Sequence, residues 1–101
     1  MQIGSGAYRY EVKSNWGDVP AEVALGTTHG VVEDQLGRIF IHHTGPECTL
    51  IFDPEGKLLS RWGADWHAGA HGMFLHQEPA GEFLYFAATS ANLVLKTTLD
   101  G

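Results

Sequence analysis

The chain has one cysteine, Cys48, so it can form neither an internal disulfide nor a zinc site built on cysteines. Basic residues are scarce as well: six Lys and Arg stand against twelve Asp and Glu, a formal net charge of −6. Nucleic-acid backbones are held by clustered cations, and six scattered ones do not make such a cluster, so neither DNA nor RNA is expected as a partner. No stretch approaches the roughly 18 consecutive apolar residues of a membrane-spanning helix. The opening Met1-Gln2-Ile3-Gly4-Ser5-Gly6-Ala7 lacks the basic and apolar regions of an export signal. A cytoplasmic protein with no membrane partner is therefore expected. The common catalytic signatures are missing too: no Gly-x-Ser-x-Gly, no His-Glu-x-x-His, no P-loop and no Gly-x-Gly-x-x-Gly opening a helix. Long stripes at helical spacing are also absent, and the best helical candidate, Pro20–Leu25, has room for one turn at most. Cys48 beside a strand reads as a half-buried small residue.

What is present is a repeat. Trp16-Gly17 is followed by His29-Gly30, and Trp62-Gly63 by His71-Gly72, with the Trp-Gly pairs 46 residues apart and the His-Gly pairs 42 apart. Such a period is that of propeller blades or helical solenoids. The local pattern decides for strands, because each copy carries short apolar runs separated by turn residues. The first copy reads Val31-Val32, a turn over residues 33–37, Ile39-Phe40-Ile41, a break at Thr44-Gly45-Pro46, Thr49-Leu50-Ile51-Phe52, the turn Asp53-Pro54-Glu55-Gly56, and a fourth strand from Lys57 to Trp62. The second reads Met73-Phe74-Leu75, a turn through Pro79-Ala80-Gly81, Phe83-Leu84-Tyr85-Phe86 and Leu93-Val94-Leu95, and halts at the turn signal Asp100-Gly101. Four short antiparallel strands in about 40–45 residues are the arithmetic of a β-propeller blade.

These residues resemble the NHL family of β-propeller repeats. The likeness rests on Thr28-His29-Gly30-Val31-Val32-Glu33-Asp34, Gly37-Arg38-Ile39-Phe40-Ile41 and Ile51-Phe52-Asp53-Pro54-Glu55-Gly56-Lys57-Leu58, and more loosely on Ala70-His71-Gly72-Met73 and Gly81-Glu82-Phe83-Leu84-Tyr85. It covers the chain from about Tyr8 onward and implies an all-β fold of about two four-stranded antiparallel blades of a six-bladed type. Under it, residues 1–101 form a partial β-propeller. Residues 28–63 make the first blade, 70–101 a second blade lacking its outer strand, and 7–17, which align with Lys57–Gly63, an outer strand that completes another blade. Two blades cannot close a ring. The rest of the ring is expected either from the remaining blades of a longer chain or from a homotrimer in which each N-terminal strand finishes the neighbour's last blade.

Six histidines, His29, His42, His43, His67, His71 and His76, are the chemical excess. His29 and His71 occupy the same place in successive repeats, so both are expected at one end of a central channel. There they either bond neighbouring loops or bind a divalent metal such as zinc. His42 and His43 end a strand and point to opposite faces, one expected exposed and the other packed. Asp65, Trp66 and His67 fall in the loop joining the blades and are read as lining the mouth of a ligand-binding pocket with His71. Trp66 can equally be a wedge beneath that loop. Trp16 and Trp62 read as fillers between blades, Tyr85 as core, and Arg38 and Arg61 as exposed.

Two functions follow. One is a scaffold that binds a protein or a small ligand and breaks no bond. The other is part of a metal-dependent enzyme similar to the peptidyl-hydroxyglycine amidating lyases, relatives of the NHL propellers, in which case His29 and His71 are the implied zinc ligands. The third histidine, catalytic tyrosine and substrate arginines of those lyases have no match here, so an isolated two-blade chain is not expected to be catalytic.

Overall fold

A computed structural model describes all residues, Met1–Gly101. The chain is all-β, with nine strands in three antiparallel sheets. β1 (Gln2–Ser5) and β2 (Tyr8–Glu11) form a hairpin. β3 (Thr28–Glu33), β4 (Ile39–His43), β5 (Thr49–Phe52) and β6 (Leu58–Trp62) form a four-stranded meander, the first sheet. β7 (Ala70–Glu78), β8 (Gly81–Ala88) and β9 (Leu93–Thr97) form a three-stranded meander, the second sheet. The strands of the two meanders each take in an apolar run of the sequence, whereas β1 (Gln2–Ser5) was not expected and has Ile3 as its one large apolar residue. The stretch 7–17 contains a strand at Tyr8–Glu11, paired with β1 in a hairpin whose residues are all exposed.

Two turns of the first sheet are built alike. The Asp34 carboxylate accepts from the backbone N–H of Leu36 (3.0 Å) and Arg38 (2.9 Å), and that of Asp53 from Glu55 (3.0 Å) and Lys57 (2.9 Å). Gly37 (φ 77°) and Gly56 (φ 95°) take the left-handed conformation that closes each turn. The spacing Asp-x-x-Gly thus carries its own hydrogen-bonding programme. Arg38, half-buried, also donates from Nε to Asp34 at 2.6 Å.

The core lies between and around the sheets. Phe40 and Ile51 on the inner face of the first sheet meet Leu84 of the second, with Val32, Trp62, Met73, Leu75 and Leu99 packed about them. The outer face of the first sheet, with Leu50, Phe52, Ile39 and Ile41, is covered by Val19 and Val23 of the connector from Trp16 to Thr28. Pro20–Leu25 makes a single hydrogen-bonded turn, with the Val23 N–H donating to the Pro20 carbonyl at 2.9 Å, and continues into no helix; Val23 covers the sheet instead. The outer face of the second sheet has no such cover, leaving Phe74 62% and Val94 76% exposed. Tyr85 on this face is half-buried rather than core, and its hydroxyl donates to Glu78, which also pairs with Lys96 at 2.8 Å.

The repeat is visible in space. Trp16 lies against Phe52 (5.8 Å between ring centroids, 51°), and Trp62 against Phe86 (6.1 Å, 53°). A Cβ on Gly56 would come within 3.3 Å of the Trp16 indole, and one on Gly101 within 2.9 Å of Trp62. Gly56 donates to the Asp53 carbonyl at 3.0 Å and Gly101 to the Thr98 carbonyl at 3.1 Å, so both tryptophans seal a turn of the same form on the following sheet.

Candidate functional site

The first strands of the two sheets, β3 and β7, run side by side, and the seam between them holds the repeated His-Gly pairs. A Cβ on Gly30 would lie 2.8 Å from the Met73 Cβ, so this approach requires glycine. Each histidine interrupts its ladder: the β3–β4 register shifts between Thr28 and Gly30, and the β7–β8 register between Ala70 and Met73. Bulges re-aim side chains. Here both rings emerge at the seam and stack, with centroids 4.0 Å apart and planes at 24°.

The expected convergence of His29 and His71 is thus present, and its form bears on zinc. Two imidazoles on one tetrahedral ion point their in-plane lone pairs at a common centre about 2.0–2.1 Å away, which splays the rings. Near-parallel faces direct the lone pairs side by side instead. No third His, Cys, Asp or Glu joins the pair in a group fit to hold a metal. As they stand, these residues do not fit zinc.

Behind the stack lies a buried pair of histidines. His42 and His43 are both fully buried, not one exposed and one packed, because the first sheet is covered on both sides. Their tautomers follow from their partners. The His71 carbonyl can only accept, so His42 donates to it from Nδ1 (3.0 Å), which leaves Nε2 facing the Cys48 thiol at 3.4 Å. His43 has the opposite arrangement: Nδ1 accepts from the N–H of Gly26 and of Gly45, each at 3.1 Å, and Nε2 donates to the Glu47 carbonyl at 3.1 Å. Burial lowers the pKa of both rings, outweighing the bonds to the His71 and Glu47 carbonyls. Burial also raises that of Cys48, which is fully rather than half buried and stays a thiol. These groups are structural ties: His42 joins the two sheets, and His43 fastens the connector to β4. Sequence reading missed them, since the contact from Gly26 to His43 spans 17 residues.

Asp65, Trp66 and His67 lie in a short 3-10 helix, Ala64–Gly69, where a loop was expected. They line a hollow of about 80 Å³ with Ala68, Gly69, Ala88, Ser90 and Ala91. His71 is not among its walls, being committed to the seam. His67 donates from Nδ1 to the Ala64 carbonyl (2.8 Å), which leaves Nε2 an acceptor. Thr89 donates from its hydroxyl to the Gly69 carbonyl (3.1 Å) and so fixes the far wall to the helix. Arg61, half-buried rather than exposed, pairs with Glu47 at 2.7 Å. His76 stacks on Phe74 on the uncovered face of the second sheet, away from the hollow. No helix is long and apolar enough to cross a membrane.

Fold and site together define a class: an all-β protein of antiparallel meander sheets joined by a repeated tryptophan seal. No protein-family model matches the chain, and no match is found among curated proteins or solved structures.

Proposed function

We propose that the two meanders are successive blades of an NHL-like β-propeller serving as a binding scaffold, with the Asp65–Trp66–His67 hollow as its contact point. The observation that carries this reading is the tryptophan seal: each indole covers the glycine of an i-to-i+3 turn, Gly56 under Trp16 and Gly101 under Trp62, with a phenylalanine of the third strand (Phe52) beside one and of the second strand (Phe86) beside the other. The adjacent first strands, from which both sheets extend, support it as well.

The size of the hollow selects the ligand. Small-molecule pockets occupy roughly 300–1,000 Å³, whereas about 80 Å³ admits one small group. A carboxylate, an imidazole acceptor and an indole favour a donor-bearing, cationic group. The fitting partner is a protein or peptide that inserts such a group while the rest lies on the surface. The test is titration of the 15N-labelled chain with an acetylated tripeptide carrying a central lysine, against its glutamate counterpart. Shifts gathered at Asp65–Gly69, Ala88 and Ser90 with lysine alone are expected. An undisturbed hollow at millimolar peptide would overturn the reading. The zinc-enzyme alternative gains nothing from the stacked pair.

A further inference from the structure

We propose that the chain binds a second copy of itself head to tail, by laying residues Val12–Trp16 of one copy along the free edge of β9 in the next. The proposal rests on the repeat reading, and four features carry it.

The first is an edge. In the first sheet, β5 is paired on both sides, by β4 and β6, whereas β9, its counterpart, is paired only by β8. An unpaired edge is a template for an added strand. The last residue of β9, Thr97, holds a buried hydroxyl with no hydrogen-bond partner.

The second is a matching strand. Ser14-Asn15-Trp16-Gly17 repeats Ser60-Arg61-Trp62-Gly63, and the latter closes β6. Trp16 already sits on the first sheet as Trp62 sits on the second, yet Lys13, Ser14 and Asn15 before it pair with no strand of their own chain, and Val12 is held only by its N–H donating to the Met1 carbonyl (2.8 Å), a bond that strand donation would exchange. Before them stands the hairpin, exposed throughout, with Tyr8 74% and Tyr10 59% open to solvent. Val12–Trp16 must straighten to pair, because Asn15 has φ 60°.

The third is the seam. Gly30 is filled by Met73 at 2.8 Å, while a Cβ on Gly72 would meet nothing within 4 Å. The residue equivalent to Met73 is Val31, which is 67% exposed. A second copy would place its Val31 over Gly72 as Met73 lies over Gly30.

The fourth is the open face. The uncovered second-sheet face, with Phe74, Ala87 and Val94 around a groove of about 320 Å³, corresponds to the first-sheet face that the second sheet covers. Its counterpart in the next copy is the first sheet with Trp16 seated on it.

The transferred register follows from β5–β6, where Thr49 faces Trp62, Leu50 faces Arg61, Ile51 faces Ser60 and Phe52 faces Leu58. Carried over, Val94 faces Trp16, Leu95 faces Asn15, Lys96 faces Ser14 and Thr97 faces Val12. Such contacts are heterologous and close into a ring when the rotation allows; six sheets require three copies.

The test mixes two single variants, Ser14→Cys and Lys96→Cys, under mild oxidation. Directly opposed residues lie about 4.5–5.5 Å apart, within disulfide reach, and Cys48 is buried. Each chain in the mixture carries only one of the two introduced cysteines, so a link between the two positions must join copies. The expected product pairs one of each variant, and the parent chain should show a scattering mass of three times 11.0 kDa. A monomeric parent with no linkage overturns the proposal, as does linkage of Lys96→Cys to itself, which would mean face-to-face or edge-to-edge pairing of second sheets. Amide exchange on the same samples separates the two readings. Protected Leu50–Arg61 and Phe86–Leu95 pairs without linkage sink strand donation alone; unprotected pairs sink the repeat reading with it.

Discussion

The first and second sheets descend from the same pattern but live in different surroundings. The first is covered on one side by the second sheet and on the other by Val19 and Val23. The second is covered on one side only, and Phe74 and Val94 stand open on the other. A repeat of this kind keeps its core between sheets rather than within one, so the worth of a residue depends on what its neighbour supplies.

The largest break in the comparison is expected at paired aromatics. Phe40→Ala, fully buried between the sheets, should cost about 3–5 kcal/mol in denaturant unfolding. Phe74→Ala on the open face should stay within about 0.5 kcal/mol in dilute solution. Near-equal costs would mean that the open face is covered in solution.

The two aspartate turns come next. The Asp34 carboxylate is buried and also binds Arg38, so Asp34→Ala should lose about 1.5–3 kcal/mol. Asp53 makes the same two backbone contacts near the surface, and Asp53→Ala should lose about 0.5–1.5 kcal/mol, both read by denaturant unfolding. Reversed order would show that turn geometry outweighs burial.

The His-Gly pairs offer a finer contrast. Gly30→Ala forces a methyl against Met73 and should cost about 1–3 kcal/mol. Gly72→Ala meets open space and should be neutral or stabilising by about 0.4–1 kcal/mol, through a stiffer unfolded chain. If copies associate as proposed, Gly72→Ala should weaken association while leaving the dilute monomer intact.

The smallest effect is a slope in pH. His42 and His43 have lowered pKa values in the folded chain, chiefly from burial. The unfolded chain takes up protons near pH 6.5, the ordinary histidine value, while the folded chain resists to lower pH. Their stabilisation is therefore complete above about 6.5 and is lost as pH falls through the folded values. Tm measured from pH 8 to 5 should fall, and His43→Asn should flatten the slope from a lower starting Tm. An unchanged slope would show that His43 does not titrate in this range.

The strands were legible because alternation and turn chemistry are local. Asp34-x-x-Gly37 and Asp53-x-x-Gly56 form their turns from contacts within five residues. The meeting of His29 and His71 was legible as well, since equal positions in a repeat come to equal places. Less was legible where two distant segments meet. Nothing near His42-His43 announces that both rings will be buried, because the cover on one side arrives from Gly26 and on the other from His71. The helix at Ala64–Gly69 puts Asp65, Trp66 and His67 around one small hollow, while His71 goes to the seam.

By itself the sequence determined an all-β chain of short antiparallel strands, their turns and the period of the repeat, because hydrogen bonds of turns and the two-residue rhythm of strands act over a few residues. Only the tertiary structure decided that the repeated histidines stack rather than splay, that two others are locked neutral in opposite tautomers, and that one sheet face stays open. Those outcomes depend on the distance and angle between sheets, set by side chains far apart in the chain that pack against one another.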